Sequence, residues 1–390
     1  MSGRKHSDAG ASKSSASNSA AAAIPWRPTA SRAMLEQRAV LLARARRFFA
    51  DGGVLEVDTP MVVNAPVSDV NIHSALVDLG APLTGAAQTA LTGSGSGSAE
   101  ARRPFFLHTS PEYAMKRLLA AGSGDIYQIC HVVRGFERGR FHNAEFTLVE
   151  WYRLGFTLDD LMNEVDALVR ALLGPVASGH ASERITYREA FLRELQLDPF
   201  VASLDELEQA AGRFGFAAPD SRGASDAPTA STAGAATSSG PATSAGAVSH
   251  PHRDELLDFL MGAIVGPRLG ANALTFVHGY PATQAALARL DPHDPRAALR
   301  FELYCEGVEL ANGFHELASA SEQRARFNHD IAERRRTGLP AFPPDEFLLA
   351  ALEAGLPECS GVALGFDRTL MLASGAKTID EVLPFPTERA

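Results

Sequence analysis

Apolar and polar positions along the chain alternate between two periods, and the changes of period mark out the elements. From Ser31 to Asp51 the apolar residues Met34/Leu35, Leu41/Leu42, Ala45 and Phe48/Phe49 recur near helical spacing. Ser31 is a suitable N-cap and Gly52-Gly53 a suitable stop, so this stretch predicts a helix. Val54 to Val57 predicts a short strand, which Pro60 ends or confines to an edge because proline cannot donate to a ladder. Pro111 to Ala121 predicts a second helix. Asp125 to Arg134 and Glu145 to Arg153 then alternate with period two, predicting a pair of strands. Phe301 to Leu310 predicts a hairpin turning near Glu306-Gly307, and Val362-Ala363-Leu364 a last strand leading through Gly365 into a helix from Phe366 to Ala373. Hairpin-paired strands with helices placed irregularly between them predict an α+β fold around an antiparallel sheet.

Composition changes this picture mainly by subtraction. The 390 residues carry tracts rich in Ala, Ser, Thr and Gly at the N-terminus, at about 80–102 and at 218–250. Such tracts bury too little apolar surface to offset their ordering entropy. The expected organisation is therefore a disordered tail over 1–28 and one domain over 29–390 with two low-complexity inserts. A formal net charge of −10 argues against a broad duplex-binding surface, which needs a basic footprint. Cys130, Cys305 and Cys359 stand far apart, which excludes a disulfide scaffold and fits a reducing compartment. No run of about 18 apolar residues is present, so no membrane span is expected and the chain reads as cytoplasmic.

The second strand of the pair places Phe146, Leu148, Glu150 and Tyr152 on one face. A ring, a carboxylate and a phenol together make a poor core and a good floor for a small molecule, or else a half-solvated sheet face. The loop before it holds Arg134, Arg138, Arg140, His142 and Asn143, either solvated or converging on an anion. No Gly-x-x-x-x-Gly-Lys loop is present to cradle phosphates. Glu302, Glu309, Asn312 and Glu316 cluster on and after the late hairpin. Paired carboxylates there are surface residues or, with polyphosphate in reach, ligands for magnesium. Gly361 to Arg368 is either a close strand-to-helix packing or a place where Gly365 and Arg368 meet a ligand.

Taken in order, the arginine loop with His142-Asn143-Ala144-Glu145-Phe146, then Glu309-Leu310-Ala311-Asn312-Gly313-Phe314-His315-Glu316, then Gly361 to Arg368 resembles the catalytic core of class II aminoacyl-tRNA synthetases. The lysyl branch is the nearest in pattern. The resemblance runs from about residue 30 to the C-terminus outside the inserts. The first helix, strand and Pro60 are similar to the motif that builds the family's homodimer interface. Only about 30 residues precede it, so no anticodon-reading barrel is expected, and the chain resembles the free-standing lysyl-synthetase-like ligases that act on translation elongation factor P. Thr109 to Leu119 and Cys359 to Gly365 carry that closer likeness. The alternative is a truncated lysyl-tRNA synthetase paralogue acting on tRNA, and a third reading is a non-catalytic synthetase-like subunit.

The resemblance implies ATP as co-substrate, Mg2+, and (R)-β-lysine or lysine activated as an adenylate before transfer to a lysine of elongation factor P. It implies that Arg134 holds the α-phosphate and the substrate carboxylate, and that Phe146 and Arg368 sandwich adenine, Arg134 and Arg368 being the catalytic pair. Phe136, His142, Asn143, Glu309, Leu310 and Gly365 are expected at the nucleotide, with Glu302 and Glu309 on the metal. Ser110, Glu112, Glu150, Tyr152 and Glu316 are expected around the amino acid, with Ala363 shaping the pocket where the lysyl synthetases tend to have glycine. Two positions depart from the family pattern. Phe136 stands where a glutamate beside the adenine is usual, with Glu137 one residue late, so either backbone makes that contact or the loop shifts register. Ala144 replaces a usual proline. Arg138 and Arg140 are the expected cationic rim for the acidic protein acceptor.

Overall fold

The computed structural model describes residues 26–79, 104–177, 179–216 and 251–390. Both expected inserts, and residues 1–25 of the expected tail, lie outside the described residues. The first described residues are tied to the C-terminal segment, the Arg27 carbonyl accepting from Arg389 Nη2 at 2.8 Å and Thr29 N donating to the Pro384 carbonyl at 2.9 Å.

Eleven strands are described: β1 (Leu55–Glu56), β2 (Val62–Val63), β3 (Leu76–Val77), β4 (Phe105–Leu107), β5 (Ile126–Val133), β6 (Glu145–Leu154), β7 (Glu183–Thr186), β8 (Thr275–Pro281), β9 (Ala297–Cys305), β10 (Val308–His315) and β11 (Cys359–Gly365). Eight of them form one sheet in the order β1-β5-β6-β11-β10-β9-β8-β7, and β2-β4-β3 form a small second sheet. All pairings of the large sheet are antiparallel except β1 with β5 and β7 with β8 at its two edges. The helices are α1 (Arg32–Asp51), α2 (Glu112–Ala120), α3 (Leu158–Leu173), α4 (Tyr187–Leu195), α5 (Leu204–Gly212), α6 (Pro251–Leu260), α7 (Ala320–Arg336), α8 (Glu346–Gly355) and α9 (Phe366–Ser374). The predicted α+β class and the predicted strands and helices are present.

Strand parity divides the sheet into a dry face and a chemical face. Val149 and Trp151 of β6, Phe301 and Leu303 of β9, and Val362 and Leu364 of β11 point to one side. There they pack with Leu41, Ala45 and Phe49 of α1, the apolar stripe of α3 and Leu370 and Met371 of α9. Burying a side chain of this size contributes roughly 1.5–3 kcal/mol, so this layer fixes the register of the central strands. A one-residue slip would turn every one of these side chains to the other face. The opposite face then necessarily presents Phe146, Leu148, Glu150 and Tyr152, together with Arg300, Gly361, Ala363 and Gly365, all of which line the large cavity.

A buried ion pair locks α1 to the start of α9. Arg38 pairs with Asp367, whose second oxygen accepts from Thr147 N at 2.7 Å, while Arg38 Nη2 donates to Thr147 Oγ1 at 2.6 Å. Asp367 is 2% exposed, and removing one partner of such a pair strands the other charge. Arg38→Met is expected to cost about 3 kcal/mol and to lower the urea unfolding midpoint. An unchanged midpoint would show that the pair is not structural.

Candidate active site

One half of the cavity is an acid-lined pocket. Ser110 caps the approach to α2 by accepting from Glu112 N at 3.0 Å, and its hydroxyl donates to Glu150 Oε2 at 2.8 Å. Tyr152, two residues along β6 on the same face, donates to Glu150 Oε1 at 2.8 Å. Lys116, one helical turn after Glu112, places Nζ 2.6 Å from Glu112 Oε1 and 2.6 Å from Glu316 Oε2. Three carboxylates thus share a pocket with one resident cation that is itself 1% exposed. Gly361 makes the approach of two of these groups geometrically possible. A Cβ there would sit 2.3 Å from the Tyr152 ring and 2.5 Å from Glu316 Oε1.

Crowding buried like charges moves their protonation upward. Burial and the nearby Glu112 raise Glu150 to about 8, against the hydrogen bonds from Ser110 and Tyr152. Burial raises Glu316 to about 7 although Lys116 holds it down. Burial alone would lower the Lys116 ammonium, but Glu112 and Glu316 outweigh it and the group is held above its ordinary range. The pocket is therefore short of positive charge until something cationic enters.

The other half is cationic and aromatic. Arg134 follows β5, donates from Nε to the Thr109 carbonyl at 3.2 Å and lies 5.2 Å over the Phe146 ring. Arg368, in the first turn of α9, donates to the Phe141 carbonyl at 3.2 Å and the Glu309 carbonyl at 2.9 Å, and meets His142 Nε2 at 2.5 Å. Burial and the two guanidiniums push His142 down to about 3, so it stays neutral and its Nε2 accepts from Arg368. Glu309 lines the cavity and is raised to about 7 by burial and by Glu302. Gly365 borders the space without being needed for packing, since a Cβ there would meet only ordinary contacts from 3.7 Å outward. Leu310 and Ala363 also line the cavity.

Several expectations are redrawn by the geometry. Phe136 does not reach the cavity. It sits at φ +63° with its ring 88% exposed, edge-on to His73 at 5.1 Å. That left-handed turn advances the loop by one residue, so Glu137 lines the cavity and faces Arg134 at 3.9 Å. Glu302 stands back from the cavity lining, its two oxygens held by Arg300 Nη2 at 2.5 Å and Tyr304 Oη at 2.6 Å. Asn143 borders the cavity, but its amide is engaged at both ends, donating to the Glu145 carbonyl and accepting from Thr387 N. Arg138 is not a free rim cation, because Asp380 grips it at 2.7 and 2.9 Å and Glu388 at 3.2 Å. Arg140 donates to the Lys377 carbonyl at 3.0 Å and stacks over Phe141. The residue pattern alone gives Lys116 and Arg300 no part. Lys116 does stand one turn from Glu112, an i,i+4 spacing that allows an ion pair, but nothing local shows that Glu316 closes the triad.

Residues 19–389 match the family model described as tRNA synthetases class II (D, K and N), and the chain belongs to that family of ATP-using enzymes. More particularly, it is 46% identical over 365 residues to the elongation factor P–(R)-β-lysine ligase of Vibrio cholerae, covering 94% of this chain and 98% of that protein. Identity is 44% to the protein of the same name from Proteus mirabilis and 42% to that from Klebsiella pneumoniae, each with the same coverage. Among the described residues no helix is long and apolar enough to cross a membrane.

The raised carboxylates make stability depend on pH in a defined direction. Between the ordinary carboxylate value of 4.5 and its folded value near 8, Glu150 holds more proton in the fold than in the unfolded chain. Its contribution is therefore fully present at low pH and lost as pH rises toward 8. Glu150→Gln is expected to be more resistant to urea than wild type at pH 8, with the difference shrinking toward pH 5. A pH-independent difference would mean that Glu150 is ionised throughout.

Proposed function

We propose that this chain is an ATP-dependent ligase that activates (R)-β-lysine, or a closely related diamino acid, as an aminoacyl-adenylate and transfers it to a lysine of elongation factor P. One observation carries the amino-acid part of this reading. Glu112, Glu150 and Glu316 total −3 when ionised and Lys116 supplies +1, so −3 + 1 leaves −2. Two ammonium groups on one small molecule supply the matching charge. A substrate with one ammonium leaves a buried carboxylate uncompensated, which is costly. The names of the relatives supply the acceptor.

Arg134 lines the cavity and is tied to the Thr109 carbonyl, next to Ser110 of the acid pocket; in this reading the substrate carboxylate and the α-phosphate of ATP would meet at it. Its guanidinium would neutralise both and steady the charge that builds as carboxylate oxygen attacks phosphorus. Phe146 and Arg368 would hold adenine between a ring and a guanidinium plane. Neutral His142 keeps Arg368 oriented without competing for the phosphates. No enzyme nucleophile is needed, so the contribution is positioning and charge stabilisation. The reading includes Mg2+ on the phosphates. Glu309 offers a cavity-facing oxygen of the type the ion prefers, whereas Glu302 would join it only by exchanging its Arg300 and Tyr304 partners. The ion would supply further charge neutralisation of the polyphosphate.

The reading includes a cytoplasmic homodimer. α1 leaves Leu35 and Val40 exposed on its outer side and β1 leaves Leu55 exposed, apolar surface suited to a second copy. Sedimentation equilibrium is expected to give twice the 41.4 kDa chain mass, and a monomer at micromolar concentration would remove this part of the reading.

The test of the function is intact-mass analysis of elongation factor P after incubation with the protein, ATP, magnesium and (R)-β-lysine. A gain of one lysyl residue on a single lysine is expected, strongest with the β-isomer. Parallel reactions contain α-lysine, or total tRNA in place of the factor. Charging of tRNA with no change in the factor's mass would overturn the proposal in favour of a tRNA-acting paralogue.

A further inference from the structure

Beyond the acid pocket the cavity continues into a recess that adenylate formation leaves unused. It is lined by Ser68 and Asp69 together with Gln323, Arg326 and Asp330 of α7. Two acceptor atoms there are buried and unpartnered. These are Gln323 Oε1, on a side chain 1% exposed, and Asp330 Oδ1, on a residue 8% exposed. The second oxygen of Asp330 accepts from Ser68 Oγ at 2.7 Å. A buried acceptor without a donor is destabilising, and two on one cavity wall point to a donor that arrives from outside.

The neighbouring cations do not fill this role. Arg326 donates to the carbonyls of Ala286 and Ala288 at 2.8 Å and to Glu322. Arg334 donates to the carbonyls of Pro340, Asp69 and Ile72. The diamino acid's own ammonium groups are matched by the −2 of the acid pocket. What remains is a donor belonging to the second substrate. Asp69 is within electrostatic reach of Arg134, the residue at which the ligase reading puts the activated carboxyl.

We propose that Ser68, Asp69, Gln323 and Asp330 form the subsite that receives the side-chain ammonium of the acceptor lysine. This rests on the ligase reading above. An ammonium has no lone pair and must lose a proton before it can attack. In the recess that proton passes to the Asp69 carboxylate, which burial raises to about 6 and which is ionised at neutral pH and free to take it. The free amine then adds to the carbonyl carbon of the adenylate. The new C–N bond forms as the C–O bond to phosphate breaks, the second proton leaves the nitrogen for the departing phosphate, and AMP is released.

The two half-reactions separate this role from a structural one. With the full-length chain, diamino-acid-dependent exchange of pyrophosphate into ATP reports adenylate formation and an intact fold. Single-turnover transfer from preformed adenylate to elongation factor P reports the acceptor step. Asp330→Asn is expected to slow transfer at least tenfold while exchange stays within twofold, and Gln323→Met to slow transfer by a smaller factor with exchange unchanged. Transfer at the wild-type rate in both variants would overturn the subsite, as would an equal loss of exchange and transfer. Should Asp330→Asn not fold, Gln323→Met decides alone. A wild-type protein that exchanges pyrophosphate yet never modifies the factor would overturn the ligase reading itself, and the subsite with it.

Discussion

Burying three carboxylates within reach of one another is the constraint on which this structure turns. Left uncompensated, Glu112, Glu150 and Glu316 would repel one another in a medium too poor in water to screen them. Lys116 answers part of that repulsion from behind the cavity wall, bridging Glu112 and Glu316 at 2.6 Å each. Ser110 and Tyr152 answer another part by donating to both oxygens of Glu150. The remainder is left for a ligand. A pocket built this way is tense when empty and relaxed when a dication fills it, which is how a binding site turns electrostatic strain into selectivity.

The rest of the fold reads as the support such a pocket needs. Parity along β6, β9 and β11 sends one set of side chains into a dry layer under α1, α3 and α9, and so commits the other set to the cavity. Gly361 removes the side chain that would collide with Tyr152 and Glu316. Asp367 joins α1, β6 and α9 through Arg38 and Thr147, so the helix that presents Arg368 cannot drift from the strand that presents Phe146. Arg134 follows β5, Glu316 follows β10 and Glu112 and Arg368 lie in the first turns of α2 and α9, while Glu150 stands in the middle of β6.

Much of this was legible in the residue pattern, and the reasons differ by element. The alternation on β6 showed Glu150 and Tyr152 sharing a face because strand parity is local and needs no tertiary knowledge. The order of the arginine loop, the late hairpin and the last glycine-rich strand pointed to the class II core, to which the chain belongs. What escaped was non-local. Phe136 matches the site by position, but of the two outcomes open there a left-handed backbone turn gives the register shift and puts Glu137 in its place. Arg138 read as a free cation because its partners, Asp380 and Glu388, lie more than 240 positions away. Glu302 is not available because Arg300 and Tyr304, on its own strand face, hold its two oxygens. Lys116 is a buried lysine whose second partner is two hundred residues distant, so its role appears only once the sheet is assembled.

The most direct test of this electrostatic account is calorimetric titration of the protein with (R)-β-lysine at pH 7.5 in two buffers of different ionisation enthalpy. With Glu150 near 8 and Glu316 near 7 in the empty pocket, the entering ammonium groups should drive both to the ionised state and release about one proton per site. A binding enthalpy that depends on the buffer by that amount is the predicted result. Binding with no proton release would mean that the three carboxylates are already ionised without the ligand, contradicting the claim that the pocket is short of positive charge.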